Sequence, residues 1–370
     1  MGVATYREHL AATRREIREV TAAEAEQMLG ADTRPVLVDV RERDEYEQGY
    51  IPGAVHIPRG NLESRIENTV SDRNAPVIVY CAAGNRSAFA AKTLHELGYT
   101  DVVSLAGGFS NWKQNGHEWK LPQTLTPQQQ ERYSRHTLIP EVGEAGQLRL
   151  LDSKVLLIGA GGLGSPAALY LAAAGVGTIG IIDSDVVDRS NLQRQIIYAD
   201  SDIGQPKVEA AADRLAALNP HVFVAGYQGP FDAQSADELV SDVDLVLDGT
   251  DDFATRFCVN AACVRHGKTL VSGAIGRWTG QIGVFRGRPC YQCLVPEIPP
   301  ETETCAAVGV VGALAGVIGS MMALEAVKLI AGAGDPLESR LTIYDALSGE
   351  TRTVRVSADP QCPICGAAKP

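Results

Sequence analysis

The sequence predicts an α/β protein of two domains, each a sheet of parallel strands flanked by helices. Three observations carry that prediction. Short aliphatic runs alternate with helix-length segments along the chain, the pattern of parallel strands joined by crossover helices. A length of 370 residues suits two average domains. Between the halves lies LPQTLTPQQQ, residues 121–130, with two prolines and no charge, which reads as a linker. The expected domains are therefore residues 1–120 and 131–370.

The elements follow in order. The first 20 residues read as helical and polar, with nothing to place them against the rest. VLVD (36–39) and VIVY (77–80) read as buried strands, and 87–97 as the helix after the second. Beyond the linker, 155–158 and 178–183 are expected strands with a helix over 166–174 between them. A second helix covers 206–218, with Pro206 at a permitted first-turn position. Strands 245–248 and 269–272 follow, separated by a helix around 252–266. Residues 306–324 carry no charge over 19 positions. They are mostly Ala, Gly and Val, which gain little from lipid, and Glu325 and Lys328 follow at helical spacing. A buried helix, and no membrane partner, is the expectation.

Composition narrows the class. Hydrophobic residues make up 45% and charged residues 21%, an ordinary globular balance. The net charge is −12, with 14 basic and 17 acidic residues through Pro122 and 19 and 28 after it. Neither half is basic, which argues against a nucleic-acid partner. Arg14-Arg15 is followed by Glu16, Arg18 and Glu19 where a signal sequence needs an apolar run. Eight cysteines, including two CxxC pairs, point to a reducing cytoplasm and to thiol or metal chemistry.

Three sites stand out. The first is Cys81, where strand VIVY turns into a helix through Cys81-Ala82-Ala83-Gly84-Asn85-Arg86-Ser87. Small residues let the backbone N–H groups point inward, the helix N-terminus adds its positive end and Arg86 a full charge. Together they favour a thiolate able to attack or carry sulfur. The local pattern fits a small buried cysteine equally well. The second is Gly159-Ala160-Gly161-Gly162-Leu163-Gly164, which follows a strand and opens a helix, with Asp183 at the end of the next strand for ribose hydroxyls. A nicotinamide dehydrogenase fits this much. Arg194, Lys207 and Asp251 go further, because two cations and a magnesium-binding carboxylate suit a triphosphate better than a pyrophosphate bridge. The third is the pair Cys290/Cys293 and Cys362/Cys365, with 68 residues between them, four thiolates for a closed structural zinc. Cys258 and Cys263 read as packing.

Two resemblances sharpen these readings. Residues 20–120 resemble a rhodanese domain: Asp39-Val40-Arg41, the segment Gly49 to Pro58 (GYIPGAVHIP), Gly107-Gly108-Phe109 with Trp112, and a Cys81-to-Arg86 loop of sulfurtransferase length. That resemblance implies sulfur transfer through a Cys81 persulfide, with Arg86 in the active-site loop. Residues 125–366 resemble the ubiquitin-activating-enzyme-like superfamily, of the MoeB and ThiF adenylyltransferase type. The motifs are Arg132-Tyr133-Ser134-Arg135-His136, VLLIGAGGLGSP, NLQRQ, GQPKVEAA, DGTDD and SGAIGRWTGQIGVF. The family often has Asn where Asp252 stands.

The second resemblance implies a Rossmann-like domain with a zinc knuckle that adenylates a small ubiquitin-like sulfur-carrier protein ending in Gly-Gly. Gly162, Asp183, Asn191, Arg194 and Lys207 would hold ATP, Asp251 would bind Mg2+, and Zn2+ would be structural. Arg135 would reach the active site of the other subunit of a homodimer. Cys305, in a polar proline-started segment, would receive the acyl group or resolve an acyl disulfide. The upstream sulfur donor would be a cysteine desulfurase or thiosulfate. In the fused members the rhodanese domain more often follows the adenylylating one; here it precedes it. The readings kept beside this one are an NAD(P)-dependent oxidoreductase with a thiol domain, a binding scaffold without turnover, and an adenylating tRNA-modifying enzyme.

Overall fold

In the computed structural model, which describes residues 5–31, 33–298 and 309–366, the chain divides into two units, Met1–Thr124 and Leu125–Pro370. The first contains strands β1 (Arg18–Val20), β2 (Val36–Asp39), β3 (Val55–His56), β4 (Val77–Tyr80) and β5 (Val102–Leu105). Its helices are α1 (Tyr6–Glu16), α2 (Ala22–Leu29), α3 (Arg43–Tyr46), α4 (Leu62–Thr69), α5 (Asn85–Glu96) and α6 (Gly108–Gln114). The five strands are all parallel, in the order β1-β5-β4-β2-β3. Alternation along each strand feeds two cores. Val38, Val79, Cys81 and Val102 face Ile66 and Leu94 on one side, and Leu37, Ile78, Tyr80 and Leu105 face Ala25 and Trp112 on the other.

The N-terminal segment that the sequence left unplaced has a defined seat. Thr5 and Glu8 form a capping box that starts α1. The helix lies on α5 through polar and aromatic contacts: His9 stacks on Phe89 at 5.3 Å, and Glu16 pairs with Lys92 at 2.7 Å. No apolar stripe marks this packing, which is why the sequence did not reveal it. Residues 18–20 then add β1 to the sheet beside β5.

The second unit contains β6 (Lys154–Ile158), β7 (Thr178–Asp183), β8 (Phe223–Gln228), β9 (Leu245–Asp248), β10 (Thr269–Ile275), β11 (Thr279–Phe285), β12 (Arg340–Asp345) and β13 (Glu350–Arg355). Its helices are α7 (Pro127–Arg132), α8 (Ser134–Thr137), α9 (Gly143–Asp152), α10 (Gly164–Ala174), α11 (Lys207–Leu218), α12 (Ala233–Ser241), α13 (Phe253–Arg265), α14 (Tyr291–Leu294) and α15 (Gly312–Ala331). Residues 127–130, read as linker, are helical, because Thr126 and Gln129 form a capping box with Pro127 in the first turn.

The sheet order is β13-β12-β11-β10-β9-β6-β7-β8. Strands β8, β7, β6, β9 and β10 are parallel, and β10 to β13 antiparallel. The sequence predicted parallel strands only. Three residues separate β10 from β11, too few for a crossover, so the chain must return as a hairpin.

Helix α15 is the one helix among the described residues long and apolar enough to cross a membrane. Its Leu314, Ile318, Met322 and Ala326 lie in the core with Leu163, Leu171 and Val271. Glu325, buried on the same helix, pairs with Lys328 at 2.7 Å and accepts from the Leu337 N–H. The order of the sheet reverses between β6 and β9, which opens a crevice at the carboxyl ends of those two strands.

Candidate active sites and metal centre

The crevice is a cleft of ≈ 670 Å³, and the glycine turn after β6 forms its floor. Any side chain at Gly164 would collide with the Gly159 carbonyl, so the turn closes tightly only with glycine there. Asp183 receives the Ala160 N–H on Oδ2 (2.8 Å) and the Asp185 N–H on Oδ1 (2.9 Å). Each of its oxygens keeps a second lone pair for a ribose hydroxyl. Asn191 accepts from the Asp188 N–H (3.1 Å) and so shapes the turn that carries Arg194. Arg194 donates to the Ser190 carbonyl (3.1 Å). Lys207 is 4% exposed and donates to Asp185 Oδ2 at 2.7 Å. Gly162, Asp183, Asn191, Arg194, Lys207 and Asp251 all line this cleft. Arg135 is exposed on α8 and is not among the lining residues.

Two cleft residues escaped the sequence reading. Arg256, 4% exposed on α13, donates to the carbonyls of Gly273 (2.7 Å) and Thr250, the residue before Asp251. Burial is the largest single influence and works against its charge, but Asp248, Tyr291 and Asp251 together outweigh it and raise the pKa. Tyr291, between the two cysteines of the first pair, also lines the cleft, and the Arg256 guanidinium lies 6.0 Å from its ring centre. The available signal was an arginine one turn after Asp252, on a helix whose cysteines Cys258 and Cys263 the sequence read as packing.

Asp252 has a local role. Its Oδ2 accepts from Thr255 N–H and Oγ1, both at 2.8 Å, capping α13. The Thr255 backbone bond first, then its hydroxyl, hold the carboxyl below the usual range. The cap therefore stabilises fully above the ordinary carboxylate range and weakens as pH falls through the lowered pKa. Asp252→Ala is expected to cost about 1 kcal/mol, read as a fall of about 2–4 °C in the melting midpoint of the C-terminal unit. Asp252→Asn, an equally good cap, is expected to retain that midpoint.

Asp251 supplies carboxylate oxygen to the cleft. At the end of β9 beneath it, Asp248 takes the Thr250 N–H (3.0 Å) and hydroxyl (2.7 Å) on Oδ1. Its Oδ2 is buried with no hydrogen-bond partner among the described residues. Asp248 does not line the cleft and its charge faces Arg256, so the hard oxygen donor open to Mg2+ there is the exposed Asp251 carboxylate.

The Cys81 site is built by the other unit. Cys81 directly follows β4 at 1% exposure, and Gly84 takes the left-handed conformation (φ 83°) that turns the loop into α5. The Phe109 and Ser110 N–H groups, at the start of α6, donate to the Cys81 and Ala82 carbonyls at 2.8 and 3.0 Å. Asp39 and Arg41 form a buried ion pair at 2.6 Å; Arg41 also donates to the Gly49 carbonyl (2.6 Å) and covers the Phe109 ring at 4.2 Å. These bonds tie the motif segments together around the loop. Arg86 differs from the free charge that the sequence suggested. It binds Glu45 through two bonds of 2.6 Å, which push the arginine's pKa up and hold Glu45 below the usual carboxylate range.

Cys290, Cys293, Cys362 and Cys365 converge with all four sulfurs within 4.8 Å of one another. The closest pairs are 3.6 Å (Cys290–Cys362) and 3.3 Å (Cys293–Cys365). Tetrahedral zinc with bonds of about 2.3 Å places its sulfurs about 3.8 Å apart, so the donor set fits that ion. Cys258 is half-buried and Cys263 buried, and burial pushes the Cys263 thiol up to about 12. Cys305 lies outside the described residues.

Comparison with known proteins agrees with this division. The ThiF family profile matches residues 133–364, and a rhodanese-like domain profile matches residues 21–115. The chain is 45% identical over 250 residues to the sulfur carrier protein adenylyltransferase of Thermus thermophilus, covering 65% of this chain and 92% of that protein. It is 46% identical over 246 residues to the SAMP-activating enzyme E1 of Haloferax volcanii, covering 66% and 91%. To the probable adenylyltransferase/sulfurtransferase MoeZ of Mycobacterium tuberculosis it is 47% identical over 247 residues, covering 65% and 63%. Among solved structures, E. coli MccB with MccA-N7isoASN is similar in fold, with a TM-score of 0.58 at 21% identity over 64% of this chain and 75% of that one. The chain belongs to the ThiF family of adenylyltransferases and carries a rhodanese-like domain on the N-terminal side.

Proposed function

We propose that the C-terminal unit uses ATP to adenylylate the C-terminal Gly-Gly of a small ubiquitin-like sulfur-carrier protein, and that Cys81 of the N-terminal unit supplies the sulfur for its thiocarboxylate. One observation carries the reading: a single cleft gathers the glycine turn, the ribose-side Asp183, the cations Arg194, Lys207 and Arg256, and Asp251. The names of the Thermus and Haloferax relatives support a carrier of this kind.

A carboxylate is a poor electrophile. Its attack on the α-phosphorus of ATP expels pyrophosphate and leaves an acyl-adenylate with AMP as a good leaving group. The positive end of α10 and the cations Arg194 and Lys207 favour the charge that builds on the phosphates. Asp251 would hold Mg2+, which supplies further charge neutralisation when bound. A persulfide on Cys81 then attacks the acyl carbon and displaces AMP. A thiol, for which Cys305 is the candidate in this chain, attacks Cys81 Sγ of the resulting acyl disulfide, which expels the thiocarboxylate and leaves a disulfide between that thiol and Cys81, returned to two thiols by a cellular dithiol reductant. Zn2+ on the four cysteines would be structural, pinning residues 362–366 to the start of α14. The exposed position of Arg135 suits a residue that serves the partner's cleft in a homodimer. The cysteine usage suits a cytoplasmic enzyme fed by a cysteine desulfurase or thiosulfate.

Cys81→Ser separates the two steps. With carrier, ATP, magnesium and a sulfur donor, the variant is expected to form acyl-adenylate at the wild-type rate and no thiocarboxylate. Thiocarboxylate formed at the wild-type rate by Cys81→Ser contradicts the role of Cys81.

A further inference from the structure

Ser104 is out of character for its strand. Strand β5 reads VVSL and is buried throughout, and Ser104 itself has no exposed surface. A hydroxyl there is costly unless it is hydrogen-bonded inside the domain. Ser104 pairs with Val79 across the sheet, and alternation puts it on the face that carries Val102, Val79 and Cys81. Its Oγ donates to Oγ of Ser87 at 2.9 Å, and Ser87, equally buried, sits in the first turn of α5. Ser87 Oγ lies 3.6 Å from Cys81 Sγ. The three groups form a continuous chain from the strand interior to the sulfur.

We propose that Ser87 and Ser104 are a two-hydroxyl relay that stabilises the Cys81 thiolate, with Ser104 a positioning residue acting through Ser87. The proposal rests on the reading of Cys81 as the sulfur-accepting thiol. When Cys81 is a thiol, its S–H donates to Ser87 Oγ. When the proton leaves, Ser87 rotates its own O–H toward the sulfur, and Ser104 donates to the lone pair that Ser87 then presents. The hydroxyls keep their protons and the heavy atoms stay where they are. A hydrogen bond to the charged form favours that form, and a second bond in series strengthens the first donor. A valine or alanine at position 104 removes the second bond and leaves the first.

The charged groups around this sulfur are left unchanged by substitutions at 87 and 104. They are Arg86 on α5, Glu45 across it on α3, and the Asp39–Arg41 pair at the end of β2. Arg14 of α1 reaches Asn85 at the start of α5 (3.2 Å) and Glu19 of β1 (3.5 Å), the residue that pairs with Ser104 across the sheet, and Lys113 of α6 lies over the Phe109 and Trp119 rings.

The test is the pH profile of Cys81 carbamidomethylation by iodoacetamide, followed on the Cys81 peptide by mass spectrometry in the full chain. The midpoint is expected to rise by about one unit in Ser87→Ala and by about half a unit in Ser104→Ala. Ser104→Thr and Ser104→Val form a volume-matched pair, so the two differ only in the hydroxyl. Threonine is expected to keep the wild-type midpoint and valine to match alanine. The double variant Ser87→Ala/Ser104→Ala is expected to match Ser87→Ala, because Ser104 has no other route to the sulfur. Equal midpoints for the threonine and valine variants, or shifts that add in the double variant, overturn the relay. Sulfur loading of wild-type Cys81 is measured separately. A chain that shifts its midpoints but carries no sulfur refutes the sulfur-carrier reading and leaves the relay standing.

Discussion

Asp251→Ala lowers carrier-dependent ATP–pyrophosphate exchange by about 10²–10³-fold, the usual cost of deleting one element of transition-state charge stabilisation. The melting midpoint is expected to stay within the scatter of surface substitutions, about 0.5 kcal/mol. The separation of the two effects follows from position. Asp251 is exposed on the loop after β9, and its side chain adds nothing to the core. Its neighbours do the positioning: Asp248 fixes Thr250 from below, and Arg256 holds the Thr250 carbonyl from α13. With alanine at 251 those bonds persist, Arg194 and Lys207 still line the cleft, and only the carboxylate proposed to hold magnesium is gone. Isotope exchange measured at saturating ATP and magnesium reads this directly. Exchange that survives the substitution at the wild-type rate moves the magnesium away from Asp251.

Removing the zinc proposed for the four-cysteine cluster is expected to lower the melting midpoint of the C-terminal unit by about 10 °C, the consequence of losing several kcal/mol from a domain of this size. Exchange activity is expected to fall with it, because the centre is wired to the cleft. Cys290 stands at the start of α14, and the next residue, Tyr291, is a wall of the cleft. Asn260 of α13 accepts the Tyr291 N–H at 2.8 Å and donates to Cys290 Sγ at 3.5 Å. Four thiolates left without an ion repel one another, and Tyr291 and Arg256 lose their common support. Calorimetry with and without chelator, with metal release followed in parallel, checks the outcome. Recovery of the midpoint on adding zinc is part of the expected result. An unchanged midpoint after complete metal release contradicts a structural role.

Much of both catalytic units was legible because their chemistry depends on local sequence. A glycine turn after a strand, a cysteine at a strand-to-helix turn and paired CxxC motifs have fixed short spacings, and each sits at the end of the strand or turn expected for it. What was not legible depends on contacts distant in sequence. Arg256 matters because α13 brings it under Thr250 and beside Tyr291, 35 residues further on. The charge of Arg86 is shared with Glu45, 41 residues earlier, so its local setting overstated its freedom. Helix α1 packs through His9, Glu16 and a buried Thr13, and an amphipathic pattern has no way to mark such a face. The antiparallel strands β11 to β13 are rich in Thr, Gly and Arg, so they lack the aliphatic runs that identified the parallel ones.

The most direct test is the intact mass of Gly-Gly-ended carrier proteins after incubation with this chain, ATP, magnesium and a sulfur donor. The account predicts a carrier in which one oxygen has been replaced by one sulfur, formed only when ATP is present. A full panel of such carriers that emerges unmodified, while the chain still binds and cleaves ATP, contradicts it.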